Sequence, residues 1–391
     1  MSLSVCLVSA EYPPETTAGG VGTYTHDLAH GLMRLGHRVT VVSATPAGGV
    51  ETTRHDSGVR IVRVAPKQSL RRRVALRGKG PLLRSLVARS DRVIEAIHDL
   101  GPFDVVEAPL WNGEASSWDG LAGTPLVTRL VTPVFTSMKI LESPPALELE
   151  ELERRQCLAS TCLAAISTAI GELVVSHYGL QSSVLVHAPL GIRIPNAIPS
   201  PRSTVPRLLY VGRLERRKGI SDLLAALPAV LKNCPSAVVD LVGQDTGQGP
   251  RGLTYAALAD EMLDPDVRSR VTFHGFVPKE RLASFYARAS VFVAPSLYES
   301  FGLVYLEAMS LGVPVVGTDV GGVSEIVDDT VGRLVAAGDP GALALACTHL
   351  LQDSTLALRL GTVARARVRE RFSESAMAAS TVRLYELAIG L

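Results

Sequence analysis

The feature that most constrains this chain is an alternation of short β-branched runs with helical periodicity that stops at a cluster of prolines and then starts again. Leu3–Ala10 reads as a buried strand, Tyr24, Leu28, Leu32 and Leu35 fall at helical spacing, Gly36-His37 closes that helix, and Arg38–Ser43 is the next strand. Strand, helix and strand in that order make a βαβ unit, which joins parallel neighbours. Further strands are predicted at Val59–Val64, Asp104–Glu107, Pro125–Leu130, Leu163–Ile166 and Ser183–His187, with a helix over Leu82–Leu100. Pro189, Pro195, Pro199, Pro201 and Pro206 then break every periodic pattern, as a linker does. The alternation resumes with strands at Arg207–Val211, Ala237–Val242, Val271–His274, Val291–Ala294 and Val313–Gly317, and helices such as Ser221–Leu231 and Leu282–Ala289 between them. The expected fold is α/β: two doubly wound parallel-sheet domains facing a cleft, the first over 1–188, a linker over 189–206, the second over 207–373.

Length agrees with two domains, since 391 residues exceed what one hydrophobic core usually holds. A net charge of +1 gives no global nucleic-acid signature, so no nucleic-acid partner is expected. Cys6, Cys157, Cys162, Cys234 and Cys347 are scattered, and Cys157 and Cys162 lie in a helical pattern. Without a C-x-x-C or a Cys/His cluster, no metal is expected, and reduced thiols point to the cytoplasm. The N-terminus lacks a basic n-region and a cleavage site, and no apolar run reaches the ~18 residues that span a bilayer.

Four segments carry chemistry. Glu299 and Glu307 flank Ser300-Phe301-Gly302-Leu303, where a strand ending near Ala294 feeds a turn and then a helix. One carboxylate there can meet sugar hydroxyls and the other a ribose, and the backbone N–H groups of Phe301, Gly302 and Leu303 can hold a phosphate. Val211-Gly212-Arg213-Leu214-Glu215-Arg216-Arg217-Lys218-Gly219 follows the first strand of the second half. Arg213 and Lys218 at such a strand end suit a diphosphate whose charge grows as it leaves, while Arg216 and Arg217 are read as solvated. Gly19-Gly20-Val21-Gly22 follows the first strand and opens the first helix, so Gly20 and Gly22 allow close backbone approach to an anion. Gly321-Gly322-Val323-Ser324-Glu325 reads as a glycine loop before a helix.

These strings resemble the retaining family 4 glycosyltransferases of the GT-B fold. The likeness is strongest from Val211 to Gly332, which carries the E-x7-E pattern, the G-R-l-x-x-x-K-G string and the G-G-x-x-E element. The resemblance implies transfer of a sugar from a nucleoside diphosphate sugar, UDP-sugar favoured, to a hydroxyl of a small-molecule, lipid-linked or saccharide acceptor. It implies a front-face, metal-independent route without a cofactor. Arg213, Lys218 and Glu299 are then catalytic; Gly20, Gly22, Phe276, Val277, Phe301, Gly302, Leu303 and Glu307 contact the donor or its nucleotide; and Tyr24, Glu107 and Arg129 contact the acceptor. It also implies that the last helix, 374–391, packs back on the first domain.

The chain departs from the family pattern in places. Val131 stands where a histidine is common, and Glu107 where relatives often have histidine, which makes Glu107 and Glu114 candidates for acceptor contacts. Pro189-Leu190-Gly191-Ile192-Arg193 alters the usual P-N-G-I-D string. A segment from Arg60 to Arg92, without Asp or Glu between Gly58 and Ser90, suits a phosphorylated acceptor or peripheral contact with the inner membrane face, with Glu148, Glu150, Glu151 and Glu153 able to neutralise part of it. Two other readings stand beside the transferase: a nucleotide-sugar-binding subunit without turnover, and a GT-B epimerase or hydrolase.

Overall fold

The computed structural model describes residues 2–14, 19–45, 49–66, 76–120, 123–140, 142–195 and 203–391. The chain divides into one unit of Met1–Gly191 with Glu374–Leu391 and a second of Ile192–Ser373.

The first unit is built on strands β1 (Ser4–Val8), β2 (Arg38–Ala44), β3 (Thr52–Asp56), β4 (Val59–Val64), β5 (Val105–Pro109), β6 (Leu126–Leu130), β7 (Cys162–Ala165) and β8 (Leu185–His187). They form one sheet in the order β3-β4-β2-β1-β5-β6-β7-β8, parallel except for the β3–β4 hairpin. A parallel sheet has both faces covered, so its central strands read as continuous apolar runs. Val5 accordingly lies between Val39 and Val105, and all three are buried. On one face Val93, Ile94 and Ile97 of the helix Pro81–Leu100 join Cys6, Val8, Val42 and Val106 in the core. The terminal helix Glu374–Ala388 belongs to this unit and lies on the helix Gly20–Arg34. Gly31 permits that approach, since a Cβ there would stand 2.8 Å from the Cβ of Ala378.

Two polar groups sit inside this core. Arg129 on β6 is 0% exposed and Glu107 on β5 is 2% exposed. Arg129 Nε and Nη2 donate to Glu107 Oε1 and Oε2 at 2.7 and 2.9 Å, and its remaining nitrogen bonds reach the Ala188 carbonyl and Thr381 Oγ1. Tyr385 Oη donates to Glu107 Oε2 at 2.9 Å, so strands β5 and β6 are tied to the terminal helix. The Tyr24 ring is buried beside Arg129, 5.8 Å from the guanidinium carbon. A buried ion pair survives only where further hydrogen bonds satisfy both partners, and these bonds do so. Tyr24, Glu107 and Arg129, expected at the acceptor, are thus enclosed in contacts within the unit and are at most 2% exposed.

The second unit holds β9 (Arg207–Val211), β10 (Val238–Val242), β11 (Val271–Gly275), β12 (Val291–Ala294), β13 (Val315–Thr318) and β14 (Gly332–Val335). Their order is β11-β10-β9-β12-β13-β14, all parallel. Counted within the unit this is 3-2-1-4-5-6, the doubly wound order in which chain direction reverses between the first and fourth strands. Leu208 and Leu209 on β9 pair on one side with β10 and on the other with Val291 and Phe292 of β12. Connections leaving β9 and β12 run to opposite faces, and a crevice opens at their carboxyl ends.

Several local expectations change. The polar strand β3 and the short β14 carry no apolar alternation and were not anticipated. Cys162 opens β7 rather than continuing the helix Leu147–Ala159 that carries Cys157. All five cysteines are free and buried. The basic segment forms no single face among its described residues: Arg63 is buried and donates to the Tyr12 carbonyl, Lys79 pairs with Glu148 at 2.8 Å, and Arg92 pairs with Glu51 at 3.0 Å. Lys67 and Arg71-Arg72-Arg73 lie outside the described residues. Glu153, expected to help neutralise that segment, is instead buried and accepts from Val134 N and Tyr178 Oη. Among the described residues no helix is long and apolar enough to cross a membrane.

The buried pair generates a stability prediction. Glu107→Leu leaves the Arg129 charge enclosed without its partner and is expected to cost about 3–5 kcal/mol. Combined with Arg129→Met, the loss should fall short of the sum of the single losses by about 1–3 kcal/mol. Chemical denaturation of the four chains of this cycle measures the coupling, and additive losses would show that the pair does not act as a unit.

Candidate functional site

The crevice of the second sheet is walled by the loops that follow β9 and β12. After β9 the chain runs through Gly212 and Arg213, makes a short turn at Arg216–Lys218, and enters the helix Ile220–Asn233 through Gly219. After β12 it runs from Pro295 to Gly302 and enters the helix Leu303–Ser310. The two loops are knitted together. Leu297 N donates to the Arg217 carbonyl at 2.8 Å, and Gly219, at φ +67°, lies so close to Pro295 that a Cβ would sit 1.8 Å from its carbonyl oxygen. Only glycine satisfies both the left-handed backbone and that approach.

Across this seam Lys218 Nζ donates to Glu299 Oε2, with both side chains largely buried. Burial acts to raise the Glu299 pKa, but the Lys218 and Arg217 charges and the Lys218 hydrogen bond outweigh it and hold the carboxyl below its ordinary value. Burial pulls the Lys218 ammonium below its ordinary value despite the opposing pull of Glu299. Glu299 is therefore an ionised acceptor, and Lys218 a cation short of solvation. Arg217, expected in solvent, is half buried and braces the seam, donating to Glu215 Oε1 at 2.8 Å and to the Tyr298 carbonyl at 3.4 Å. Arg216 is exposed. Arg213 stands at the mouth with its side chain 64% exposed, 3.4 Å from Glu215 Oε2.

The Glu299 backbone is fixed from the far side. Its carbonyl accepts from Gly322 N at 3.1 Å, and a Cβ on Gly321, at φ +55°, would stand 2.0 Å from the same oxygen. The glycine pair thus earns its place by packing under the Glu299 loop. Gly302 caps the following helix at φ +104°, and the first amides after it have no acceptor within the helix. Phe301 is buried with its ring edge-on to Phe372, 6.0 Å between centroids. Glu307, little more than one turn into the helix, is half buried and accepts from Tyr286 Oη at 2.7 Å. Phe276 projects from the end of β11, 66% exposed, beside Val277, and His274 is bound to Asp240 at 2.7 Å, a structural role. Arg213, Lys218, Glu299, Gly302 and Leu303 are thereby brought to the carboxyl ends of the two central strands, an arrangement of cations, a carboxylate and helix amides.

The first unit has its own reversal point, between β1 and β5. A cavity of about 200 Å³ opens there, lined among others by Ser9, Glu11, Arg89, Trp111, Asn112 and Glu114. Burial pushes the Glu114 carboxyl up to about 8, against Arg89 and the Ala10 N–H, which donates to Glu114 Oε2 at 2.7 Å. Of the two glutamates offered by the sequence, Glu114 reaches this cavity and Glu107 does not. Gly22 is buried against Glu11, whose Oε2 accepts from Gly19 N at 2.9 Å, while Gly20 stays exposed at the start of the helix. The sequence reading did not single out Glu11, and it placed Arg89 only within the basic segment. It also did not show that Arg217 and Tyr286 hold other site residues.

The chain is similar to known proteins along most of its length. Residues 18–194 match the model described as Glycosyltransferase Family 4, and residues 205–353 the model described as Glycosyl transferases group 1. A glycogen synthase of Mycobacterium tuberculosis (strain CDC 1551 / Oshkosh) is 28% identical over 98% of this chain and 94% of its own length. A D-inositol 3-phosphate glycosyltransferase of Arthrobacter sp. (strain FB24) is 30% identical over 85% of this chain and 82% of its own. Among solved structures, a sucrose-phosphate synthase from Thermosynechococcus elongatus superposes with a TM-score of 0.82 at 25% identity, covering 99% of both chains. The chain is a glycosyltransferase of the GT-B fold and belongs to the family 4, group 1 glycosyltransferases.

Proposed function

We propose that this glycosyltransferase moves a sugar from a nucleoside diphosphate sugar to an acceptor hydroxyl with retention of configuration and without a metal at the diphosphate. The observation that carries the reading is the Lys218–Glu299 pair buried at the reversal point of the second sheet. Without donor, each charge compensates the other. A diphosphate entering beside Lys218 offers that ammonium a second, stronger anion and releases Glu299 to accept hydrogen bonds from sugar hydroxyls. Arg213, exposed at the mouth, closes on the same diphosphate.

The chemistry follows from that exchange. The acceptor oxygen forms a bond to the anomeric carbon on the face from which the diphosphate departs. The anomeric C–O bond breaks with its electron pair going to the phosphate oxygen, and the acceptor proton passes to an oxygen of the departing diphosphate. Lys218, Arg213 and the amides at Gly302 and Leu303 stabilise the charge that grows on the leaving group. Glu299 places the anomeric carbon, Glu307 holds the ribose, and the backbone near Phe276 and Val277 meets the base. Uridine is favoured on the family resemblance.

The first-unit cavity is proposed to take part of the acceptor. Arg89 suits an anionic substituent, and Glu114, protonated near neutrality, can donate to a hydroxyl. Two of the relatives have names that specify a phosphate ester, D-inositol 3-phosphate and sucrose-phosphate. A phosphorylated polyol or sugar fits the same chemistry here.

Calorimetry with UDP, GDP and ADP, without metal, tests the donor site. One nucleotide is expected to bind, and Arg213→Ala or Lys218→Ala to weaken it by about 1.5–3 kcal/mol per charged contact, ~10- to 100-fold. Glu299→Gln should leave nucleotide binding near that of the wild type and lower kcat for transfer by ~100-fold or more. Wild-type transfer rates in Lys218→Ala or Glu299→Gln would contradict the assignment. Tight nucleotide binding without turnover on any acceptor would favour a binding subunit, as the apolar Val131 also would.

Glu114 generates a pH prediction. Its folded pKa, about 8, lies above the ordinary value of 4.5, so its contribution to stability is full below about 4.5 and is lost as pH rises through about 8. Glutamine at 114 keeps the acceptor for Ala10 N–H but cannot ionise. Glu114→Gln is expected to lie within about 1 kcal/mol of the wild type in denaturation at pH 5 and to gain a further ~4 kcal/mol on it by pH 9. An unchanged difference between the two pH values would show that Glu114 is ionised throughout.

A further inference from the structure

His26 and His30 are spaced i, i+4 on the helix Gly20–Arg34, one above the other on a single face. Their rings lie 4.3 Å apart between centroids. Asp56, the last residue of β3, reaches the same point from the edge hairpin. Both imidazole Nε2 atoms stand 3.6 Å from the same oxygen, Asp56 Oδ2. One ligand atom from each of these three residues lies within 4.8 Å of the other two. The sequence reading found no metal pattern because it sought cysteine clusters; the signal was H-x3-H on a helix, and the third residue came from another strand.

Three features separate this group from an ordinary hydrogen-bonded cluster. A 3.6 Å separation is too long for a hydrogen bond, yet two rings aim at one oxygen. Ligand atoms each about 2.0–2.1 Å from a tetrahedral Zn2+ lie about 3.4 Å from one another, close to the spacing here. The outward nitrogens are both engaged: His30 Nδ1 lies 2.9 Å from the His26 carbonyl, and His26 Nδ1 lies 3.1 Å from Asp27 Oδ1. A ring that donates from Nδ1 turns its Nε2 lone pair inward, and a carboxylate or carbonyl behind a histidine is what orients metal-bound imidazoles. Asp27 is 3% exposed and backs His26 from within the core. The Tyr12 hydroxyl and Ser57 Oγ approach Asp56 at 3.5 and 3.4 Å, and Arg54, on the same face of β3, donates to the Pro13 carbonyl at 2.6 Å. Side chains of His26 and Asp56 are about one quarter exposed, which leaves an entry path and room for a water as fourth ligand.

We propose that His26, His30 and Asp56 form a site for a borderline divalent cation of the Zn2+ class, which clamps the β3–β4 hairpin to the helix Gly20–Arg34. Two imidazoles and one carboxylate select such a cation over Mg2+ and Ca2+, which take oxygen ligands. The site lies in the first unit and does not depend on the donor assignment in the second. β3 is polar and at the sheet edge, so a cation held by Asp56 supplies an attachment that its side chains do not obtain from apolar burial.

The test uses the full chain, with any affinity tag removed and stripped with a chelator. Co2+ titration is followed by its visible absorption and Zn2+ titration by calorimetry, with thermal unfolding alongside. One equivalent is expected to bind, with the intense d–d bands of a four-coordinate site and a raised Tm, while Mg2+ changes neither. His30→Gln and Asp56→Asn should each lower affinity by more than ~100-fold and remove the Tm rise. His55→Gln, on the opposite face of β3, should bind as the wild type does. Circular dichroism of the metal-free variants separates loss of a ligand from loss of fold, and Asp56→Asn is isosteric at a sheet edge. No stoichiometric uptake by the wild type, or uptake unchanged in both His30→Gln and Asp56→Asn, overturns the site.

Discussion

Lys218 and Glu299 are held out of water by the seam between two loops, and each is tolerable there because of the other. An isolated buried charge costs several kcal/mol, and removing one partner of such a pair leaves that cost uncompensated. The seam that encloses them is itself a consequence of strand order. Reversal between β9 and β12 parts the connections and opens the crevice, and glycines at 219 and 321 let the two loops and the loop after β13 close on one another without side chains between them. The compensating pair is thus a support for the loops that enclose it.

The first unit uses an ion pair in the opposite sense. Arg129 and Glu107 are satisfied on nearly every donor and acceptor by Ala188, Thr381 and Tyr385. Little is left for a ligand, so the pair serves to hold the terminal helix against β5 and β6. The contrast explains how two Arg/Lys–Glu pairs on equivalent sheets come to differ in purpose. One lies within the strands, where every neighbour is protein; the other lies beyond the strand ends and keeps some exposure to solvent.

Glu114 and Glu153 extend the same logic to carboxylates without a bonded cation. Burial pushes Glu153 up to about 7, while Tyr178 Oη and the amides of Val134 and Asn112 draw it down. It anchors the segments around it. Glu114 borders a cavity instead, so its carboxyl faces open space rather than a packed neighbour.

Sequence by itself determined the alternation of strand and helix, because β-branched runs and helical spacing are local properties, and it placed Arg213, Lys218 and Glu299 in the loops after strand ends, where ligand contacts in doubly wound sheets are found, and Glu307 in the helix that follows. It also carried the family likeness, since glycine strings such as Gly321-Gly322 record close backbone contacts directly. It did not reveal β3, whose Thr52-Thr53-Arg54-His55-Asp56 run has no apolar periodicity and becomes a strand only by pairing with β4. Only the tertiary structure decided that Arg129 and Glu107 turn inward while Lys218 and Glu299 face a crevice, and that Asp56 meets His26 and His30. Burial and charge compensation are set by partners that lie 81 residues away for Lys218 and 278 residues away between Glu107 and Tyr385. No local pattern specifies which side chains a fold will bring together over such separations.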